Sequence, residues 1–334
     1  MSRRHVAVLM GGVSSEHEVS VASGNGVLEN LDRDSYDVTP VLISKDGLWS
    51  FPDVSLMEIW DAIPELKRRR VDCAFLALHG AYGEDGRIQG MLDLLGIPYT
   101  SSGCSANGIA IDKIRSKIIV SAAGVPVATS FTVTRTEWEA GPGEIVRRVA
   151  EQVGFPCVAK SPRQGSSVGM VIAESDALLS DAMPGLFNYD DIVMIEAFVR
   201  GVEVTCGVLD ITRPVALPVT EIRPVTSSFF DYHAKYTPGA SKEITPAEIA
   251  QDLAASVQTL AVKVHEVIGC SIWSRSDFII GEDGPIWLEV NTVPGMTKTS
   301  LFPQAAAAHG ITYKQLVGLF VEAAMEKFEK AKKG

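Results

Sequence analysis

The tightest constraint on the fold is the run Val6-Ala-Val-Leu-Met10 together with the Gly11-Gly12 pair that ends it. Apolar residues in extended chain without alternation are buried on both faces, the situation of an inner strand of a parallel sheet. After the glycines, Ser15 with Glu18 has the spacing of a capping box that opens a helix. Strand, glycine turn and helix predict an α/β opening. Val38 to Ile43 and Cys73 to Leu78 repeat the strand signal between helical stretches, and Ile97 to Tyr99 reads as a last strand after a helix ending at Leu95-Gly96. Residues 1–102 are therefore expected to form an α/β domain around a doubly wound parallel sheet.

A chain of 334 residues has room for two or three domains. Ile111 to Ala123 reads as a helix, stopped by Gly124-Val-Pro126 before a strand around Ser130 to Val133. A helix near Glu144 to Val153 leads into the strand Cys157 to Lys160, the small-residue loop Gln164-Gly-Ser-Ser-Val-Gly169 and a strand around Val171. Strand, loop, strand suggests a mobile hairpin lid on a central unit of residues 103–190. Ile192 to Glu196 and Glu203 to Leu209 open a third unit, residues 191–334, as strands. The polar stretch Ser227 to Glu243 has little periodicity, and loops of that length in compact domains are usually functional. Leu253, Val257, Leu260, Val264 and Val267 mark one face of a helix, and Ser276 to Ile280 with Ile286 to Val290 a strand pair around Gly281-Glu-Asp-Gly284. Leu316, Phe320 and Ala324 mark a final helix whose Lys327, Lys330, Lys332 and Lys333 read as a solvated end.

Charge and cysteine usage exclude several classes of function. A formal net charge of -11 opposes binding to nucleic acid or an anionic membrane, so any phosphate must be held locally. The 5 cysteines are dispersed, odd in number and never paired as CxxC, against a disulfide framework or a zinc cluster. The first apolar run is too short for a signal peptide, and no run approaches the ~18 to 20 apolar residues of a membrane span. The expected location is the cytoplasm.

Several residue groups could carry chemistry. Glu289 and Asn291 alternate onto one face of a strand opposite Asp277, so three oxygen ligands could converge on a hard cation such as Mg²⁺; a polar face of an edge strand is the alternative. Lys160 ends a strand directly before a loop whose Ser166, Ser167 and backbone N–H groups could surround a phosphate, though the loop lacks a Walker A ending and also suits a plain hairpin. Lys113 opens a helix after Asp112, as a phosphate contact or a surface lysine. His79-Gly80 and Glu16-His17 come directly after strands, where open α/β sheets place their ligand crevice.

Taken in order, the motifs are Gly11-Gly-Val-Ser-Ser-Glu-His-Glu-Val-Ser20, His79-Gly80 with Tyr82-Gly-Glu-Asp-Gly86, Asp112-Lys113, and Lys160 with Gly165-Ser-Ser-Val-Gly169. Asp231-Tyr-His-Ala-Lys-Tyr236, Arg275-Ser-Asp277 and Glu289-Val-Asn-Thr-Val-Pro-Gly295 complete the series. Along nearly the whole chain this series resembles the D-alanine-D-alanine ligase family of the ATP-grasp superfamily. The resemblance implies a three-domain α/β ATP-grasp fold with ATP clamped between the central and C-terminal units. It implies ADP-forming ligation of two D-alanines through a D-alanyl-phosphate, for peptidoglycan precursor synthesis, by a cytoplasmic homodimer.

The same resemblance implies a role for each motif residue. Glu16 would hold the ammonium of the first D-alanine, with Ser166 and Tyr236 positioning substrate and closing the lid and His79 among the substrate contacts. Lys113 and Lys160 would touch the ATP phosphates, and Lys235 the transferred one. Glu196, Ala197 and Val199 would belong to the adenine hinge, and Glu203 would contact the ribose. Asp277, Glu289 and Asn291 would bind two Mg²⁺ ions, with Mn²⁺ as a possible substitute. Arg275 and the Gly295 N–H would stabilise the negative oxygens, and Ser300 and Leu301 would receive the second carboxylate. Departures are Ala197, where many members carry lysine, Val13, often polar, and Ile272, often glycine. Tyr236 is retained, which implies a dipeptide rather than an ester product. A ligase for another amino-acid pair and a silent ATP-binding homologue are the alternatives.

Overall fold

The computed structural model describes residues 3–165, 168–224 and 241–332. The opening run is strand β1 (Arg4–Gly11), the inner strand of a five-stranded sheet, parallel to β2 (Tyr36–Ile43) and β5 (Cys73–Leu76). Val6, Ala7, Val8 and Leu9 are fully buried, as an unalternating run requires. The sheet is parallel only across these three strands. Beyond β2 it continues antiparallel through β3 (Trp49–Phe51) and β4 (Val54–Met57), a correction to the all-parallel expectation. Ile97 to Tyr99 contributes a single parallel bridge, Tyr99 to Ala74, rather than a strand. Pro98 sits inside that run and can only accept, which it does from the Ala74 N–H at 2.8 Å.

Helix α1 (His17–Asn30) comes after β1, but the capping box does not form. Glu16 is the N-cap residue, its N–H donating to Ser14 Oγ at 3.0 Å, while Glu18 pairs with Lys45 at the surface. The remaining helices up to the central sheet are α2 (Ile59–Arg68), α3 (Arg87–Leu95), α4 (Cys104–Ala110) and α5 (Lys113–Ala122). The helix expected over Ile111 to Ala123 is α5, which starts two residues later, at Lys113. Asp112 explains it, because its carboxylate accepts from the N–H groups of Ile114 and Arg115 at 3.1 Å each and so starts a new helix.

A four-stranded antiparallel sheet orders β6 (Ser130–Thr134), β9 (Ile192–Ala197), β7 (Cys157–Lys160) and β8 (Met170–Ala173). Thus β9, expected to open the third unit, lies between β6 and β7. Helices α6 (Arg135–Ala140), α7 (Pro142–Gln152) and α8 (Asp176–Leu186) cover this sheet, with Trp138, Val149 and Leu179 in its core.

The third sheet is antiparallel and six-stranded: β10 (Val202–Asp210), β11 (Pro214–Ala216), β12 (Thr220–Pro224), β13 (Ser241–Ile244), β14 (Ile272–Gly281) and β15 (Gly284–Asn291). Helix α9 (Gln251–Ile268) buries Val257, Ala261 and Val264 against it. Helices α10 (Leu301–Ala308) and α11 (Tyr313–Ala331) pack on the other side, where Trp273 stacks on Phe320 at 4.5 Å and meets Phe302 edge-on at 5.0 Å. Phe320 also lies 6.3 Å from Phe75 of β5, so one core joins the first and third sheets. Lys327 is not part of a solvated face: it pairs with Asp210 and donates to Ser271 Oγ at 3.1 Å.

Candidate active site in two adjoining clefts

Two clefts share Lys113 and Glu289 in their walls. The larger, about 450 Å³, lies where the strand ends of the first sheet face β14, β15 and the chain after them, and Glu16, His79, Arg275, Asn291, Gly295 and Ser300 line it together with Leu301. The smaller, about 140 Å³, lies between the two antiparallel sheets and is lined by Lys160, Glu196, Ala197, Val199, Glu203 and Asp277. Every site residue expected from the sequence that falls within the described residues therefore lines one or both clefts. Ser166, Lys235 and Tyr236 lie outside the described residues, as does most of the polar stretch read as a loop, whose end is β13.

In the larger cleft the Glu16 carboxylate is packed between two glycines. A Cβ at Gly80 or at Gly165 would stand 2.9 Å from its Oε2, so neither position has room for a side chain while Glu16 keeps this pose. Gly80 has a φ of +69°, which also favours glycine. Gly165 begins the small-residue loop, so Glu16 and the loop are in direct contact.

His79 is buried, and its hydrogen bonds fix its tautomer. The Val293 carbonyl, 2.9 Å from Nδ1, can only accept, so Nδ1 carries the proton. Ser23 Oγ, 2.9 Å from Nε2, receives the Met296 N–H at 3.1 Å and gives its own proton to the ring. Burial lowers the pKa of the ring, in keeping with this neutral form. Both nitrogens are thus engaged in tying α1 to the chain at 293–296.

Glu84 lies inside the Tyr82 to Gly86 motif, with nothing in the sequence to set it apart from its neighbours there. Its carboxylate accepts from the Gly80 N–H at 2.8 Å and from the Val293 N–H at 3.0 Å, joining the two loops that frame the larger cleft. Burial, followed by the nearby Glu16 charge, raises its pKa to about 8 despite these two bonds.

Between the clefts, Asp277 of β14 stands opposite Glu289 of β15, and Arg275 opposite Asn291. Arg275 forms a two-pronged pair with Asp277, Nε and Nη2 each at 2.9 Å, and Thr205 Oγ1 donates to Asp277 Oδ1 at 2.6 Å. Asn291 Nδ2 donates to Asp277 Oδ2 at 3.1 Å. Lys113 Nζ lies 3.0 Å from Glu289 Oε2 and donates to the Gln164 carbonyl at 2.8 Å. Each carboxylate thus has a cation beside it, Asp277 from its own strand and Glu289 from the start of α5. Among the described residues no group of three His, Cys, Asp or Glu is placed to hold a metal, so a cation here would rest on two carboxylates and the Asn291 amide oxygen. That all-oxygen set suits a hard divalent ion that keeps waters and phosphate oxygens in its shell.

Glu196 is buried in the smaller cleft between two lysines. Lys160 pairs with one carboxylate oxygen and Lys117 with the other. Burial alone would raise Glu196, but the two ammonium groups outweigh it and hold its pKa below the ordinary value. Lys117 has no part in the motifs of the sequence; its one signal is the four-residue step from Lys113, which puts both on one face of α5.

Ser300 precedes α10 and accepts from the Thr297 N–H at 2.9 Å, and Leu301 is the first residue of that helix. First-turn N–H groups have no intrahelical partner, so this end can receive an anion.

Comparison with known proteins places these clefts in context. A family model described as D-ala D-ala ligase N-terminus matches residues 5–102, and one described as D-ala D-ala ligase C-terminus matches residues 119–322. The chain is 41% identical over 323 residues to the D-alanine-D-alanine ligase of Pelotomaculum thermopropionicum, covering 96% of each chain. It is similar in fold to the Bacillus anthracis D-alanine-D-alanine ligase complexed with ATP, with a TM-score of 0.80 at 33% identity over 99% of this chain and 100% of that one. The VanG D-Ala:D-Ser ligase from Enterococcus faecalis gives a TM-score of 0.83 at 30% identity, covering 97% of this chain and 100% of its own.

Proposed function

The chain belongs to the D-alanine-D-alanine ligase family, and from that premise we propose that its two clefts hold ATP and two D-alanines and join the amino acids to D-alanyl-D-alanine. The observation that carries this reading is that the clefts meet at Lys113 and Glu289, so a nucleotide in the smaller one has its phosphates at the mouth of the larger one. Glu16 holds the ammonium of the first D-alanine. The carboxylate of that D-alanine takes the γ-phosphoryl of ATP, leaving ADP and an acyl-phosphate. The amine of the second D-alanine attacks the acyl carbon, the carbon–oxygen bond to phosphate breaks, and the amine proton is lost.

This chemistry asks for positioning and charge neutralisation rather than a nucleophilic side chain. Lys113 and Lys160 hold the phosphates, the hinge at Glu196, Ala197 and Val199 holds the adenine, and Glu203 holds the ribose. Arg275 and the Gly295 N–H face the oxygen that turns negative, and the α10 N-terminus at Ser300 and Leu301 receives the second carboxylate. Ser166, Lys235 and Tyr236 complete the site from the loops, on the motif resemblance. Asp277, Glu289 and Asn291 fit Mg²⁺, which when bound supplies charge neutralisation on the phosphates. Arg275 and Lys113 hold those carboxylates in place without it.

The same reading extends to the assembly and the cell: a cytoplasmic homodimer supplying peptidoglycan precursors. Among the described residues no helix is long and apolar enough to cross a membrane. Three units follow the three sheets, with the central one extending through β9. The decisive experiment is phosphate release from MgATP with D-alanine alone, with D-alanine plus D-serine or D-lactate, and with L-alanine, the products identified by mass. D-alanyl-D-alanine from D-alanine alone is expected; turnover only on another pair would move the substrate assignment, and no turnover on any would remove it.

A further inference from the structure

We propose that Lys117 is the positioning residue of the nucleotide cleft, fixing the Glu196 carboxylate as the acceptor for the 6-amino group of the purine once Lys160 has turned from Glu196 to the phosphates. This rests on the reading of the smaller cleft as the ATP site. Lys117 is buried and does not line either cleft. Its Nζ donates to Glu196 Oε2 at 2.5 Å, to the Ala128 carbonyl at 3.1 Å and to Ser130 Oγ at 3.4 Å. An ammonium has three donors, and these three acceptors use them all. Lys117 is therefore committed.

Lys160 is placed differently. It pairs with Met194 in the β7–β9 register, two residues before Glu196, so the two side chains share a face and meet diagonally. Among the described residues its ammonium donates to Glu196, and Lys160 lines the cleft that Lys117 does not reach. One carboxylate thus serves two lysines, leaving a surplus positive charge that an arriving phosphate can take up through Lys160. A buried carboxylate stripped of every counterion is strongly unfavourable, and Lys117 prevents that. Glu196 lines the cleft beside Ala197 and Val199, and an ionised carboxylate can only accept. It therefore favours a purine with a 6-amino donor and disfavours one with a 6-oxo acceptor.

The test compares ATP with ITP, whose base carries the 6-oxo group, in the full-length enzyme with saturating D-alanine. Wild type should favour ATP in kcat/KM. Lys117→Met should lower that preference about tenfold, the loss of one charge-assisted hydrogen bond, by raising KM for ATP while ITP changes little. Lys117→Gln, whose amide can still donate to Ala128 and Ser130, guards against misfolding and should show the same loss. A general structural role would lower activity with both nucleotides and leave their ratio alone, which overturns the inference while the ATP site stands. Wild type with no preference for ATP over ITP would overturn the adenine reading beneath it.

Discussion

Gly165→Ala separates a structural from a catalytic reading of the larger cleft. The added Cβ would stand 2.9 Å from Glu16 Oε2 and 3.7 Å from its Cδ, with no backbone atom nearer than these among the described residues. Reaching ordinary contact needs a shift of roughly half an ångström, and the atom that must move is the tip of a flexible side chain. Gly165 has no positive φ, so alanine brings no backbone strain. Stability should therefore change by less than about 0.5 kcal/mol, the range of substitutions away from packed features. Activity should not be spared. A displacement of about 1 Å in a positioning group can cost on the order of a hundredfold, so half that distance predicts roughly a tenfold loss in kcat/KM for D-alanine at low concentration. The assay is phosphate release against D-alanine concentration at saturating MgATP, with thermal melting alongside. Unchanged kcat/KM for D-alanine would refute the argument that Glu16 holds the first substrate, and a large fall in Tm would refute the steric argument.

Three further outcomes are expected. Glu289→Gln removes a carboxylate from the oxygen set and leaves Lys113 facing a neutral amide; turnover should fall by about a hundredfold or more at any Mg²⁺ or Mn²⁺ concentration, and near-wild-type dipeptide formation would remove the metal assignment. Glu84, whose pKa is raised from 4.5 to about 8 in the folded chain, binds its proton more tightly folded than unfolded. Wild-type stability relative to Glu84→Gln should accordingly fall as pH rises from about 4.5 to about 8, measured by denaturant unfolding; a flat difference or a rising one contradicts the burial argument. Ile272 has a φ of +68° and is 2% exposed. Ile272→Gly should relieve about 1–2 kcal/mol of backbone strain yet lose about 2–5 kcal/mol of buried side chain, a net destabilisation of about 1–3 kcal/mol by denaturant unfolding, and a stabilised variant would show the side chain to be poorly packed.

Neighbouring residues alone were enough for much of this protein. The unalternating Val6 to Met10 run dictates a strand buried on both faces, and the four-and-three spacing of Leu253 to Val267 dictates a helix with one apolar face, because burial periodicity is a property of residues close in the chain. The ordered motifs, with the family they resemble, also pointed to residues that line the clefts before any of them could be shown to meet. Tertiary structure decided what depends on distant partners. The Ser15 and Glu18 spacing suited a capping box, yet Lys45 from another segment took Glu18. Lys327 looked solvated until Asp210 of β10 stood opposite it. His79 reads as a ligand-facing histidine at a strand end, and only the approach of Ser23 and Val293 engages both of its nitrogens. Glu84 and Thr205 carry no local mark, and Lys117 only its four-residue step from Lys113, since a counterion, a loop clasp and a carboxylate support are defined by what folding brings within about 3 Å, and sequence spacing does not encode that distance between residues far apart in the chain.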